Sequence, residues 1–400
     1  MQHTAAEFDP SRRAGLDRLA QFVPQAGAHY AAGRNTDAGP GAPSAVSKLS
    51  PYLRYRLLTE QEVVTTVLSH HSYDAAEKFL QEVLWRTYWK GWLEMRPSVW
   101  TRFVEERERQ QQSFPNARAL AAAENGTTGI EGFDDWAREL TETGYLHNHA
   151  RMWFASIWIF TLRLPWALGA DFFLRHLLDA DAASNTLSWR WVAGLQTVGK
   201  TYLATADNIA RFTGGRYAPR GLATEATALT EAPIAAAQSL PEMVRSRDAE
   251  PSLILVTPDD MHPQETLFAG IPVKAAVVAE GADLLWGDRA RAFVTGATAD
   301  TVRRIEPLWQ CPAQTTAGID FAAIVATAQA VGVRQVVTAF APVGPVADAL
   351  KTFAVALAGE GITLAQVRRQ WDSQFWPHAK KGFFPFKERI PELLREDGLL

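Results

Sequence analysis

The chain has 400 residues, of which 47% are hydrophobic and 21% charged, and its formal net charge is −4. This length suits two domains, the composition argues against wholesale disorder, and the small acidic excess leaves DNA binding open. The single cysteine, Cys311, excludes a disulfide framework and a cysteine-held zinc or iron–sulfur site within the chain. A lone cysteine also fits a reducing compartment, so we expect a cytoplasmic protein.

Neither the beginning of the chain nor its most apolar run predicts a membrane segment. The first ten residues lack the basic and apolar regions of a signal peptide. Residues 152–162 are strongly apolar, but Arg163 interrupts the run well before the ~20 residues that a spanning helix needs. A buried helix and no membrane partner are therefore expected.

Residues 8–220 predict one helix after another, because apolar side chains recur every three to four positions. The clearest predicted helices cover residues 75–95, 132–146, 148–162 and 170–178. Residues 218–251 are rich in Ala, Thr, Glu and Pro, and they predict a linker that holds no more than a short helix.

After Pro251 the pattern changes to short β-rich runs that alternate with helical stretches. Strands are predicted over residues 253–256, 273–278, 292–294, 335–340 and 362–365, and helices over 321–330 and 345–358. This alternation predicts a parallel sheet with helices on its faces, followed by an aromatic and basic tail that closes with a helix.

The predicted fold class is therefore multi-domain α plus α/β. A helical domain would cover residues 1–217, a linker residues 218–251, and a Rossmann-like parallel α/β domain residues 252–400.

The first segment that suggests chemistry lies just before Pro51. Ser47 and Ser50 flank this position, where the hydroxyls and the N–H groups of a helix start could hold an anion such as a pyrophosphate. Simple capping of a helix is the structural alternative.

The second segment is a helical face that carries Glu82, Trp85 and Arg86 and is extended by Trp89. Spacings of three and four residues bring these side chains together. One interpretation is an intrahelical ion pair between Glu82 and Arg86 beside core tryptophans; the other is a carboxylate and an indole that face a cavity.

The third segment places Asn148, Arg151 and Met152 on one helical face, with Asp179 and Asp181 following a strongly apolar helix. Unpaired carboxylates would be costly there, so Arg151 is the candidate partner. Because no third ligand is evident nearby, no metal site is expected.

In this order and spacing, the segments resemble the flavin-binding domain of the DNA photolyase/cryptochrome family over about residues 8–220. The shared elements are the serine-rich loop before Pro-Tyr-Leu, the Glu-x-x-Trp-Arg helix, the Asn-x-x-Arg-Met helix, and Asp-x-Asp leading to Trp-x-Trp. The resemblance implies FAD as cofactor and DNA containing pyrimidine dimers as partner.

The resemblance also implies a role for each matching residue. FAD would be held by Tyr30, Ser47, Leu49, Ser50, Arg86, Arg151, Asp179, Asp181 and Asn185. A pocket for a flipped pyrimidine dimer would be lined by Glu82, Trp85, Asn148, Met152 and Trp191. Trp189 and Trp166 match two members of the tryptophan chain that reduces photoexcited flavin.

Several features depart from the family pattern. Residues 103–125 offer no clear match to the outermost tryptophan, and His149 stands where many repair enzymes have Arg. The α/β region follows the flavin domain instead of preceding it. Residues 252–267 and 382–387 resemble the opening and closing segments of the family's antenna domain, which suggests a swapped or circularly permuted order.

Light-driven repair of pyrimidine dimers is the function that the resemblance implies, and a cryptochrome-like blue-light receptor without repair activity is the alternative. A third interpretation comes from residues 194–201, which fit the P-loop pattern of nucleotide hydrolases. The helical surroundings disfavour it, because a P-loop needs a buried strand directly before it.

Overall fold

The computed structural model describes residues 7–244, 246–247, 249–263, 267–281, 284 and 287–400. Up to residue 212 the described chain is helical. The helices are α1 (Arg12–Phe22), α2 (Ala28–Gly33), α3 (Ser50–Arg54), α4 (Glu60–Leu68), α5 (Tyr73–Glu94), α6 (Ser98–Ser113), α7 (Ala117–Glu124), α8 (Phe133–Thr143), α9 (Asn148–Ser156), α10 (Trp166–His176), α11 (Ala182–Val192) and α12 (Ala206–Phe212).

Local capping chemistry decides where several of these helices begin and end. Thr59 and Glu62 form a reciprocal capping box at the start of α4. Helix α8 ends at Thr143, short of the predicted 146, because Gly144 adopts a left-handed φ of 73°. The predicted helix 148–162 is α9 continued by a π-helical turn, Ile157–Thr161.

The predicted linker lies along the helical part as extended chain, with no helix in its described residues. Backbone hydrogen bonds tie it down, from Leu229 N to Ala193 O (3.0 Å) and from Gln238 N to Met95 O (2.9 Å). Glu231 forms an ion pair with the buried Arg190.

The second part is a five-stranded parallel sheet in the order β3-β2-β1-β4-β5. The strands are β1 (Ser252–Val256), β2 (Val273–Ala279), β3 (Ala313–Thr316), β4 (Gln335–Ala339) and β5 (Thr363–Val367). Helices α13 (Asp288–Trp309), α14 (Phe321–Ala330) and α15 (Pro345–Gly359) connect them. Apolar clusters cover the two faces of the sheet, so the predicted α plus α/β class is confirmed.

Two strand assignments from the sequence were wrong. Residues 292–294 lie inside α13, where Ala290, Phe293, Val294 and Ala297 form one buried helical face. Strand β3 was missed because its residues, Ala-Gln-Thr-Thr, are mostly polar and it lies at the edge of the sheet.

The tail returns to the helical part and packs along α5. It forms α16 (Gln370–Phe375), a short turn at Trp376–His378 and α17 (Phe383–Glu396). Gly91 allows the close approach, since a Cβ there would lie 2.8 Å from Trp376 Cα. Helix α17 buries Phe386, Ile390 and Leu394 completely. Burial of one such side chain stabilises the folded state by about 1.5–3 kcal/mol.

The two parts meet at a network of six charges, here called the interface network, of which all but Arg369 are buried: Arg56, Glu60, Lys90, Asp260, Arg369 and Asp372. Arg56 lies 2.7 Å from Asp372, 3.5 Å from Asp260 and 3.6 Å from Glu60. Arg369 binds Asp260 at 2.6 Å, and Lys90 lies 3.8 Å from Glu60. Three cations thus balance three anions where the sheet meets the helices.

Candidate functional site

The two charged residues predicted on one face of α5 both have partners outside that helix. Glu82 forms an ion pair with Arg34 (Nη1–Oε1, 2.7 Å), and Arg86 forms one with Asp181. These bonds, rather than an intrahelical Glu82–Arg86 pair, engage the two side chains. Burial raises the pKa of Glu82, and the Arg34 guanidinium opposes the rise only in part.

Arg151 and Asp179 form the bidentate pair that the sequence suggested. The two guanidinium nitrogens of Arg151 donate to the two Asp179 oxygens at 3.0 and 2.9 Å, and Nε donates to Leu146 O. The side chain of Asp179 is only 3% exposed, whereas that of Arg151 is 22% exposed. Arg151 therefore fixes a buried carboxylate while its own guanidinium stays open on one side.

The ionised form of Asp179 is favoured despite its burial. Burial alone would raise the pKa of this carboxyl, but Arg151, Arg86 and the Ser50 hydroxyl together hold it below its usual range. The same contributions show that Ser50, predicted to hold a phosphate, lies beside Asp179.

Asp181 has a structural task that the sequence pattern did not reveal. Its Oδ1 accepts from the Ala183 and Ser184 N–H groups at 2.9 and 2.7 Å and so caps α11. Its Oδ2 receives Arg86. Burial opposes ionisation, but Arg86, Lys90 and Arg54 outweigh it and hold the pKa of Asp181 below its usual range.

Asn185 lies one turn further along α11, also buried. Its Nδ2 donates to Ala170 O at 2.8 Å, which fixes the plane of the amide. Asp179 and Asp181 thus lie just before α11, and Asn185 lies in its first turn. Hydrogen bonds to other residues hold all three side chains.

The remaining predicted FAD ligands fall into two places. Leu49 is buried and Ser47 half-buried in the loop before α3, and the Leu49 N–H donates weakly to Ser47 Oγ (3.4 Å). Tyr30 is buried against Phe22 and Phe79. Its pKa is raised by burial and by the nearby Glu82, so the phenol lies on the Glu82 side of the site.

The five residues predicted to line a dimer pocket differ in their surroundings. Glu82, Trp85, Met152 and Trp191 are half-buried, and Asn148, the first residue of α9, is exposed. Trp191 stacks on Tyr202 with ring centroids 5.6 Å apart. Trp85 stacks on Phe383 of α17, a neighbour that the sequence did not suggest. Both described tryptophans are thus in ring contact with other side chains, and neither touches the other.

The two predicted electron-transfer tryptophans are not in ring contact in the described part of the chain. Trp189 is buried edge-on against Phe173 (5.1 Å) and Trp158 (6.2 Å). Trp166 packs on Phe103 and under the Arg190 guanidinium. The sequence did not suggest Trp158 as a neighbour of Trp189, because only tertiary packing brings the two rings together. Trp158 Nε1 donates to Pro165 O at 2.9 Å, next to Trp166.

The P-loop interpretation fails on its structural context. Residues 194–201 form turns that follow helix α11 rather than a strand, and the next helix, α12, begins only at Ala206. The cradle of backbone N–H groups before a helix start is therefore missing from these described residues.

Within the ranges that the structure describes, His, Cys, Asp and Glu side chains form no group of three that could hold a metal ion. None of the helices over those ranges is long and apolar enough to cross a bilayer.

Comparison with known proteins identifies the helical part. Residues 79–213 match the family model described as the FAD binding domain of DNA photolyase. This segment runs from the middle of α5 through α12 and contains the Arg86–Asp181 and Arg151–Asp179 pairs. Residues 79–213 of the helical part are therefore similar to a photolyase-type FAD-binding domain.

Several proteins that are similar in sequence are named deoxyribodipyrimidine photo-lyase. The chain is 34% identical over 157 residues to a deoxyribodipyrimidine photo-lyase of Streptomyces griseus, covering 39% of this chain and 34% of that protein. With the enzyme of that name from Thermus thermophilus it shares 30% identity over 216 residues, 53% of this chain and 49% of the relative. The chain thus spans half or less of the length of these relatives.

Solved structures were compared as well. A class III photolyase from Agrobacterium tumefaciens aligns at 29% identity with a TM-score of 0.44, covering 52% of this chain and 44% of that one. A Synechocystis cryptochrome aligns at 23% identity with a TM-score of 0.45, covering 54% and 46%.

FAD is the cofactor of this domain, and the residues present fit it chemically. An anionic diphosphate needs hydroxyls and cations, which Ser47, Ser50 and the partly exposed Arg151 can supply. The polar edge of the isoalloxazine ring needs fixed donors and acceptors, which Asn185 and Asp181 present. These groups are half-buried or buried and held in place by other partners, as a preorganised site requires.

Proposed function

We propose that this protein is an FAD-dependent photolyase that repairs pyrimidine dimers in DNA by light-driven electron transfer. The observation that carries the proposal is the fixed Arg151–Asp179 pair, which adjoins the Arg86–Asp181 pair and the half-buried face of Glu82. The names of the relatives support the same substrate. Because the chain spans only part of those relatives, the activity is an inference for this protein.

When bound and reduced, FAD would supply the electron that opens a cyclobutane dimer under blue light. In this proposal Ser47, Leu49, Ser50 and Tyr30 bind the cofactor, and Arg86, Arg151, Asp179, Asp181 and Asn185 orient it. Such a reaction requires positioning and exclusion of water rather than a hydrolytic base.

The dimer would lie against the half-buried face that adjoins this cluster. We assign Glu82, Trp85, Asn148, Met152 and Trp191 to that face. The raised pKa of Glu82 supports a role beside a developing negative charge, because a carboxyl that is more readily protonated can donate a hydrogen bond to it. Trp189 is assigned to the delivery of electrons to the flavin, with Trp166 further along the route.

A blue-light receptor without repair activity is the second candidate. The stack of Phe383 on Trp85 favours it, because part of the aromatic surface that a flipped dimer would use is already covered by the protein itself. Flavin photoreduction is expected under both candidates, so only a test with damaged DNA separates them.

The decisive experiment is illumination of the purified protein with an oligonucleotide that contains a defined thymine dimer. We expect flavin absorption that bleaches under blue light and, with reduced flavin, conversion of the dimer to thymines. Glu82→Gln should slow the conversion while leaving flavin content unchanged. Photoreduction with no dimer conversion would reject repair in favour of the receptor, and a protein that binds no flavin would reject both.

The assignment of the electron route has its own test. Asn185→Asp and Trp189→Phe should each change the rate of flavin photoreduction while the protein stays folded by circular dichroism. Rates equal to wild type in both variants would contradict these two placements.

A further inference from the structure

The closest aromatic contact beside the proposed dimer face comes from the tail. The Phe383 ring lies parallel to Trp85 with centroids 3.6 Å apart and an interplanar angle of 11°. Aromatic pairs in proteins commonly have centroids 4.5–7 Å apart, so this ring lies in unusually close contact with one face of the indole. Trp85 nevertheless remains half-buried, which leaves other parts of its surface accessible.

Phe383 is held firmly in this position. The Tyr88 ring meets it edge-on at 5.4 Å, and the Tyr88 hydroxyl donates to Lys381 O at 2.7 Å. Arg96, just after α5, donates to Lys380 O at 2.7 Å, so the loop before α17 is held at two points. The fully buried side chains of α17 anchor the rest of the helix. Phe383 is therefore a fixed wall of the site and not a lid that opens easily.

The neighbouring residues suit a nucleic acid on the open side. Lys380 and Lys381 are exposed immediately before Phe383, and Phe384 is 76% exposed immediately after it. Cations that contact phosphates, combined with aromatic rings that stack on bases, are the usual recognition chemistry for unpaired nucleotides.

We propose that Phe383 is a specificity-determining residue of the Trp85 site, which it limits to a single stacked base. It occupies one stacking face of the indole, so a base of a nucleic acid can stack only on the remaining surface. The proposal rests on the proposed function in assigning Trp85 to the DNA-facing surface. It goes beyond that function in assigning a role to the tail, which lies outside the matched residues 79–213.

The test compares Phe383→Ala with its neighbour Phe384→Ala, which removes an equally large but exposed ring. The probe is a fluorescein-labelled decamer of thymidylate, measured by anisotropy in the dark with the flavin-containing protein. Because base stacking on an aromatic ring changes affinity by roughly fivefold or more, Phe383→Ala should bind the decamer at least fivefold more tightly than wild type. Phe384→Ala should bind no more tightly than wild type.

Two further variants keep the test decisive. Phe383→Leu retains apolar bulk without a planar ring, so it should stay folded even if Phe383→Ala unfolds. Its affinity for the decamer should be at least twofold higher than that of wild type. Adding Trp85→Leu to either variant should abolish the gain. A folded Phe383 variant with wild-type affinity, or a gain that survives Trp85→Leu, would overturn the proposal. Absence of dimer repair in the wild type would instead reject the proposed function and leave this binding result unaffected.

Discussion

Two groups of charged residues lie next to each other along α5, where Arg86 belongs to one and Lys90 to the other, and they illustrate two uses of the same chemistry. In the interface network, Arg56 touches three carboxylates and every side chain is at most 4% exposed except that of Arg369. In the proposed flavin site, Asp179 is equally buried, but its partner Arg151 is 22% exposed. The first group is enclosed by the protein, although Arg56 Nε and Glu60 Oε1 have no hydrogen-bond partner among the described residues, and the second keeps a cation partly exposed.

This difference explains why charge pairing alone does not identify a site. A fully buried pair must satisfy all its hydrogen bonds internally, since no solvent or ligand can reach it. A pair with one partner exposed can exchange water for a ligand group without breaking the pair. We therefore expect mutations in the interface network to change stability and mutations in the proposed flavin site to change cofactor binding.

The largest effect is expected for Arg56→Met. It leaves Glu60, Asp260 and Asp372 buried without their shared cation, and removal of one partner of a buried ion pair costs about 3–5 kcal/mol. The free energy of unfolding, measured by urea titration, should fall by that amount. Arg13→Met provides the control, because Arg13 and Asp17 form an exposed pair worth less than about 1 kcal/mol. Similar losses in both variants would remove the distinction drawn above.

Arg151→Met should weaken flavin binding about 100-fold, since it removes the open cation and leaves Asp179 buried without its bidentate partner. The ratio of flavin to protein absorbance after gel filtration measures this loss. The exposed Arg118 on α7 is the matched control, and Arg118→Met should retain the flavin. Full retention in Arg151→Met would show that this pair has only a structural role.

A smaller, pH-dependent effect is expected at Glu94, the last residue of α5. Burial raises the pKa of Glu94 to about 7, although its carboxylate accepts a hydrogen bond from Val343 N. The folded state therefore binds a proton more tightly than the unfolded state, and stability should fall as the pH rises from about 4.5 to about 7.

Glu94→Gln keeps the acceptor for Val343 N but removes this titration. The variant should be more stable than wild type at pH 8, by up to about 3 kcal/mol, and nearly equal to it at pH 4.5. Urea titrations at the two pH values measure the difference, with the exposed Glu360→Gln as control. An equal gain at both pH values would indicate a packing effect instead.

Much of the architecture was predictable because local rules dominate there. Long amphipathic runs such as α5 and the β1 run have the periodicities of a helix and a buried strand, and both appeared as expected. The strand prediction at 292–294 was wrong because a short apolar stretch fits both the helical and the strand period. These residues instead belong to α13, which has a buried apolar face. Strand β3 had no signal, because edge strands need little apolar surface.

The sequence by itself indicated the charged residues of the proposed flavin site, since Arg151, Asp179 and Asp181 stand at fixed spacings on helices or at their ends. Only the tertiary structure determined the contact partners. The ion pairs are Glu82 with Arg34 and Arg86 with Asp181, and the ring contacts are Trp189 with Trp158 and Phe383 with Trp85. These contacts join residues far apart in the chain, and a helical period specifies which way a side chain points but not what it meets.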